Sequence, residues 1–146
     1  MKNEDLTYHQ RYYQENKEKL LVKHRERCRR TPRYALISIL ALARKRADTT
    51  IDQQYLLELY DVQQGLCALS GIKMTWATGK MSPTSISVDR IDQAKGYIEG
   101  NVRLVCVAIN AFRSTMSDQE MLKMARALIA TMESCQEAKK KIEEFV

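Results

Sequence analysis

The stretch Ser85-Ile86-Ser87-Val88-Asp89-Arg90-Ile91-Asp92, with Gly96-Tyr97-Ile98-Glu99-Gly100-Asn101-Val102-Arg103 and Leu104-Val105-Cys106-Val107-Ala108-Ile109-Asn110 after it, decides the fold. Its first segment alternates apolar and polar residues around β-branched Ile86, Val88 and Ile91, which predicts a short strand ending in Asp-Arg-Ile-Asp. Gly96 and Gly100 punctuate a turn. The chain then runs extended through Val102 and Arg103, and the apolar positions widen to helical spacing at Leu104, Val105, Ala108, Ile109 and Phe112. The implied order is strand, loop, strand, helix.

That order brings Asp89, at a strand end, toward Asn110 on the following helix. A carboxylate and an amide are hard oxygen ligands of the kind that hold Mg2+, which keeps waters and draws further ligands from substrate phosphate. On these residues the stretch resembles the HNH endonucleases and their ββα-metal motif. The resemblance covers roughly residues 65–116. Cys67-Ala68-Leu69-Ser70-Gly71, Asp89-Arg90-Ile91-Asp92, Lys95-Gly96-Tyr97 and Gly100-Asn101-Val102-Arg103 look most like the small HNH-type proteins of bacteriophages.

The resemblance implies that Asp89 and Asn110 are the metal ligands, with Mg2+ or Mn2+ as the cofactor, and that Asn101 braces the hairpin within the catalytic constellation. Arg90 stands where the family has its general-base His. A guanidinium stays charged at neutral pH and cannot accept that proton, but it can grip a phosphate oxygen and offset charge in the transition state. Three routes stay open. Asp92 can serve as base or supporting ligand, a metal-bound hydroxide can attack unaided, or the site is inactive and the scaffold only binds DNA. Many family members also carry a zinc knuckle built from two Cys-x-x-Cys pairs. Here each pair keeps one thiol, Cys67 and Cys106, where a structural zinc site needs four ligands. No structural zinc is expected, and the two thiols are read as small buried apolar residues near one another.

Charge supplies the second line of argument. The net charge is +6 over 146 residues, and residues 1–50 carry +7, residues 51–100 carry −2 and residues 101–146 carry +1. The cation-site candidate is thus locally acidic while the positive field sits on the first third. From about Glu4 to Arg30 the chain is polar and free of Gly and Pro, which predicts a helix. Lys17, Lys19, Lys23, Arg25, Arg27, Arg29, Arg30 and Arg33 form a basic run behind Tyr8, Tyr12 and Tyr13. Such a run can simply be a solvated face. It can equally neutralise phosphates with salt-sensitive, sequence-independent affinity, and the tyrosines can add sugar or base contacts. Arg44, Lys45, Arg46, Arg103 and Arg113 are further phosphate candidates. His9 and His24 read as surface residues rather than catalysts.

Thr31-Pro32 breaks the first helix, and Pro can open the next. Arg33–Arg46 is apolar around most of its circumference, predicting a helix buried on several sides. Thr50 and Gln53 have capping-box spacing, so a third helix is expected over 51–64 with Gly65 as its stop. Ile72-Lys73-Met74-Thr75-Trp76 reads as a short strand, with Trp76 a packing residue. Ser117 and Glu120 form a second capping box, opening a last helix with Met121, Leu122, Met124, Ala125, Leu128, Ile129 and Met132 at helical spacing, read as core or partner packing. Lys139-Lys140-Lys141 is read as a solvated tail.

The expected fold is therefore α+β and mainly helical, with a ββα-metal hairpin-helix core, N-terminal basic helices and a C-terminal helix. Residues 1–48 are expected to form a basic helical DNA-binding arm, and residues 49–146 the HNH-like domain with its flanking helices. The expected function is metal-dependent endonucleolytic cleavage of DNA, with duplex DNA in a phage-infected cell as the expected substrate and a catalytically inactive DNA-binding protein as the alternative. No stretch nears the ~18 apolar residues that span a membrane. The absence of an apolar leader and of Cys-x-x-Cys pairs makes a cytoplasmic protein with free thiols the expectation.

Overall fold

The computed structural model describes residues 7–76 and 81–143, with side chains at 24, 27–30 and 138–143 outside that description. Among the described residues there are five helices and one antiparallel pair of strands: α1 Tyr8–Arg30, α2 Arg33–Arg44, α3 Gln53–Val62, β1 Ile86–Arg90, β2 Val102–Cys106, α4 Val107–Arg113 and α5 Asp118–Glu143. The class is α+β, as expected. Among the described residues no helix is long and apolar enough to cross a membrane.

The hairpin register pairs Ile86 with Cys106, Val88 with Leu104, Asp89 with Arg103 and Arg90 with Val102. Leu104, Val105 and Cys106 thus lie in a strand, not in the helix their spacing suggested. Both faces of β2 are covered, so its apolar run is continuous, and a continuous run looks the same in a buried strand as in a helix. The helix begins one residue later, at Val107. An isolated two-stranded hairpin is marginal in water, and this one is buttressed on both outer edges. The Gln63 side chain accepts from Leu104 N at 2.9 Å and donates to Leu104 O at 2.8 Å. On the other edge, Ile86 N donates to Thr75 O at 2.9 Å. Residues 72–76 make only such single bridges and no strand.

Leu36, Leu40 and Ala43 of α2 are buried together with Ile51, Leu56, Val88 and Leu104. The boundary expected after residue 48 therefore runs through a shared core, and among the described elements of the first third only α1 stands apart from it. Helix α2 is buried along one stripe rather than on several sides: Ile37 and Leu42 are 40% and 50% exposed. α3 is capped by Asp52, whose carboxylate accepts from Tyr55 N at 2.8 Å, rather than by Thr50. Thr50 N instead bonds Tyr97 O, tying the approach to α3 onto the hairpin loop. Gly96 permits that tie, because a Cβ there would collide with the Asp48 carbonyl. The other expected cap is present, Ser117 with Glu120 on α5, and Thr7 with Gln10 forms a further capping box on α1.

Candidate functional site

Asp89 is the penultimate residue of β1, and its strand partner is Arg103. Residues directly opposite in an antiparallel pair bring their side chains together, and Arg103 Nε donates to Asp89 Oδ2 at 2.9 Å. The other oxygen, Oδ1, accepts from Arg113 Nη1 at 3.0 Å, so strand and helix grip one carboxylate from two sides. Asp118, at the start of α5, closes the cluster. It receives Arg103 Nη1 and Nη2 at 2.6 Å each and Arg113 Nε at 3.0 Å. Arg113 also donates to the Arg90 and Ile91 carbonyls, capping the end of β1.

The Asp89 and Arg113 side chains are 4% and 2% exposed, and Arg103 is 12% exposed, whereas Asp118 remains 45% exposed. Two carboxylates and two guanidiniums balance in charge, which is what burial of charged groups requires. The arginines hold the Asp118 carboxyl well down, from 3.8 to about 2, and Asp118 with Asp89 raises Arg103 further.

This geometry corrects two phosphate expectations. Arg113 is buried and fully engaged with carboxylates and carbonyls. Arg103 spends its guanidinium on Asp89 and Asp118. Neither presents a free charge to a nucleic acid. Asp118 was missed as a site residue because Ser117-Asp118-Gln119-Glu120 read as a helix start. Its arginine partners lie five and fifteen residues upstream, at Arg113 and Arg103, and no periodicity links either to it.

Asn101 is also buried. Its amide donates to Asp92 O at 3.0 Å and Gly96 O at 2.9 Å, and its oxygen accepts from Asp92 N at 2.9 Å. It braces the loop and has no contact to spare for catalysis. Asp92 lies beyond the strand end, so strand alternation does not orient it toward Asp89. Its carboxylate accepts from Ala94 N and pairs with Lys95 at 3.4 Å, and the Ala94 bond comes first among the causes that lower its pKa. That is turn chemistry and a poor general base. Arg90 donates to Lys95 O at 3.2 Å and stands over the Tyr97 ring at 5.2 Å.

Asn110 donates to Ser87 Oγ at 2.9 Å and Val88 O at 3.3 Å, fastening α4 across β1. It does share a wall with Asp89: both border a cavity of about 550 Å³ that is also lined by Ser87, Arg90, Gln93 and Arg46. The donor set there does not fit a divalent ion. Each Asp89 oxygen already holds a guanidinium, and a cation placed there would face two fixed positive charges. Among the described residues no three His, Cys, Asp or Glu side chains gather as a metal site.

Cys67 and Cys106 lie together and buried, with Cys106 N donating to Cys67 Sγ at 3.3 Å. Burial pushes the Cys67 thiol up, but hydrogen bonds from Ser70 and from the backbone at Cys106, Leu69 and Ser70 outweigh it and leave it lowered. Cys106 is raised, first by its burial and then by Cys67.

The basic surface lies elsewhere. Lys17, Lys19, Lys23 and Arg25 on α1 and Arg33, Arg44, Lys45 and Arg46 on α2 and after it are exposed. Tyr8, Tyr12 and Tyr13 are 74%, 49% and 50% exposed. Arg27, Arg29 and Arg30 lie outside the described side chains. No family model, curated protein or solved structure matches this chain.

Proposed function

We propose that this chain is a nucleic-acid-binding protein, built on an HNH-like hairpin-helix scaffold whose acidic residue serves as a structural ion pair rather than a metal ligand. The single observation that carries the reading is the double arginine grip on Asp89. It occupies the carboxylate that phosphodiester hydrolysis would need for a cation, while Lys17, Lys19, Lys23 and Arg25 of α1 stay exposed and free of ion pairs among the described residues. Such charges bind phosphate by releasing counterions, so the proposed partner is DNA, with duplex DNA the first substrate to test.

A second reading, HNH-type metal-dependent cleavage with Mg2+ or Mn2+, is favoured by the cavity that Asp89 and Asn110 share with Arg90 and Arg46. One experiment separates the two. The full chain is titrated onto duplex DNA at several salt concentrations, and supercoiled plasmid is then incubated with it in Mg2+ and in Mn2+. Salt-sensitive binding with intact plasmid supports the binding protein. Plasmid nicking that Asn110→Ala abolishes without loss of DNA affinity supports the nuclease. Absence of DNA binding at moderate salt overturns both.

A further inference from the structure

Helix α5 runs over twenty-six residues, from Asp118 to Glu143, and apart from the Asp118 ion pair with Arg103 of β2, α4 is the one described element it packs against. Beyond its first turn it carries a continuous apolar stripe with nothing from the described residues over it: Leu122, Leu128, Ile129 and Met132 are 48%, 51%, 55% and 61% exposed. Scattered exposed apolar residues are ordinary, but a contiguous stripe marks an interaction face. Leu122, Ala125, Ile129 and Met132 follow the three-four spacing of a coiled-coil seam. Placing them at the seam puts Arg126 and Glu133 at the same flanking position one heptad apart. Neither has an ion-pair partner within the chain among the described residues.

We infer that α5 is a homodimerisation helix that pairs antiparallel with α5 of a second copy. Charge complementarity selects this occupant and this direction. In an antiparallel pair with its twofold axis beside Ile129, Arg126 of each copy faces Glu133 of the other, so a single helix supplies both halves of two ion pairs. A parallel pair sets Arg126 against apolar Met121 of the partner helix and loses both. Flanking charges of this kind set partner choice and orientation in paired helices. The inference is independent of the nucleic-acid reading.

The test is sedimentation of the full chain over a range of concentrations. Wild type is expected to sediment as a dimer, and Ile129→Asp as a monomer with unchanged helix content by circular dichroism. Arg126→Glu and Glu133→Arg each place like charges together and are expected to raise the dissociation constant about tenfold or more, and the double swap is expected to restore it. The swaps lie on an exposed face, so they report on pairing even if Ile129→Asp fails to fold. A wild type that stays monomeric overturns the inference, as does an Ile129→Asp dimer or a double swap no tighter than the single variants.

Discussion

Arginine has two fates in this molecule, and the hairpin and helix α1 show them side by side. Arg103 and Arg113 are fixed, nearly dry and charge-matched around Asp89 and Asp118. Lys17, Lys19, Lys23 and Arg25 stand on a helix that, among the described elements, packs on α2 alone, and they point their charges into solvent. Residue type is the same in kind; what differs is the register of the neighbours. A cation opposite an acid in a strand pair becomes structural, and one on an unaccompanied helix stays free to meet a partner. The sharpest way to break this contrast is to remove the shared anion. Asp89→Ala leaves two guanidiniums without their common acceptor, and losing one member of a buried ion pair costs about 3–5 kcal/mol. Denaturant unfolding measures it. A loss under about 1 kcal/mol, the range of exposed pairs, would place the cluster with surface ion pairs instead.

The opposite signature is expected from α1. Neutralising Lys17, Lys19, Lys23 and Arg25 together to Gln is expected to leave stability within about 0.5 kcal/mol for each site, as for surface substitutions in general. DNA affinity is expected to fall, with the slope of log affinity against log salt shrinking by about one for each residue that faces a phosphate. Fluorescence anisotropy at three or four salt concentrations reads both quantities. An unchanged slope would remove α1 from the interface and shift attention to Arg44, Lys45 and Arg46.

The same contrast marks what the sequence could reveal. The hairpin-helix order was legible because β1 alternates and its glycines punctuate. The cap at Ser117 was legible because capping is local. The identity of the partners of Asp89 and Asp118 was not legible. Asp89 meets Arg113 across twenty-four residues and Arg103 meets Asp118 across fifteen, and nothing local to either pair announces the contact. The start of α4 was missed for a different reason: Leu104-Val105-Cys106 is buried on both faces, and burial on both faces erases the period that separates strand from helix.

A smaller effect probes the exposed rim of the cluster. The Arg103 and Arg113 guanidiniums depress Asp118 to about 2, so its contribution to stability is present above the ordinary 3.8 and is lost as the pH falls through about 2. Because the side chain is nearly half exposed, solvent screening limits that contribution to about 1 kcal/mol at neutral pH. Asp118→Asn is expected to lose that amount near pH 7 and to match wild type near pH 2. Unfolding measured across the acid range checks it, and parallel wild-type and variant curves would show that Asp118 adds no proton linkage.

The smallest expected effect belongs to Arg90, which lies between the two classes. It stands in the position the nuclease resemblance reserves for a proton acceptor, yet it lies over Tyr97 at 5.2 Å and donates to Lys95 O. A half-buried cation over an aromatic ring contributes about 0.5–1 kcal/mol. If Arg90 is structural like Arg103, Arg90→Met costs that much stability and leaves DNA affinity unchanged, because the methionine keeps the packing on Tyr97 and removes only the charge. If it acts like the α1 lysines, stability holds and the salt slope drops. The two measurements on one variant therefore assign the residue. They also decide whether the cavity it lines, beside Arg46 and Asn110, is a continuation of the proposed nucleic-acid surface or part of the fold's own framework.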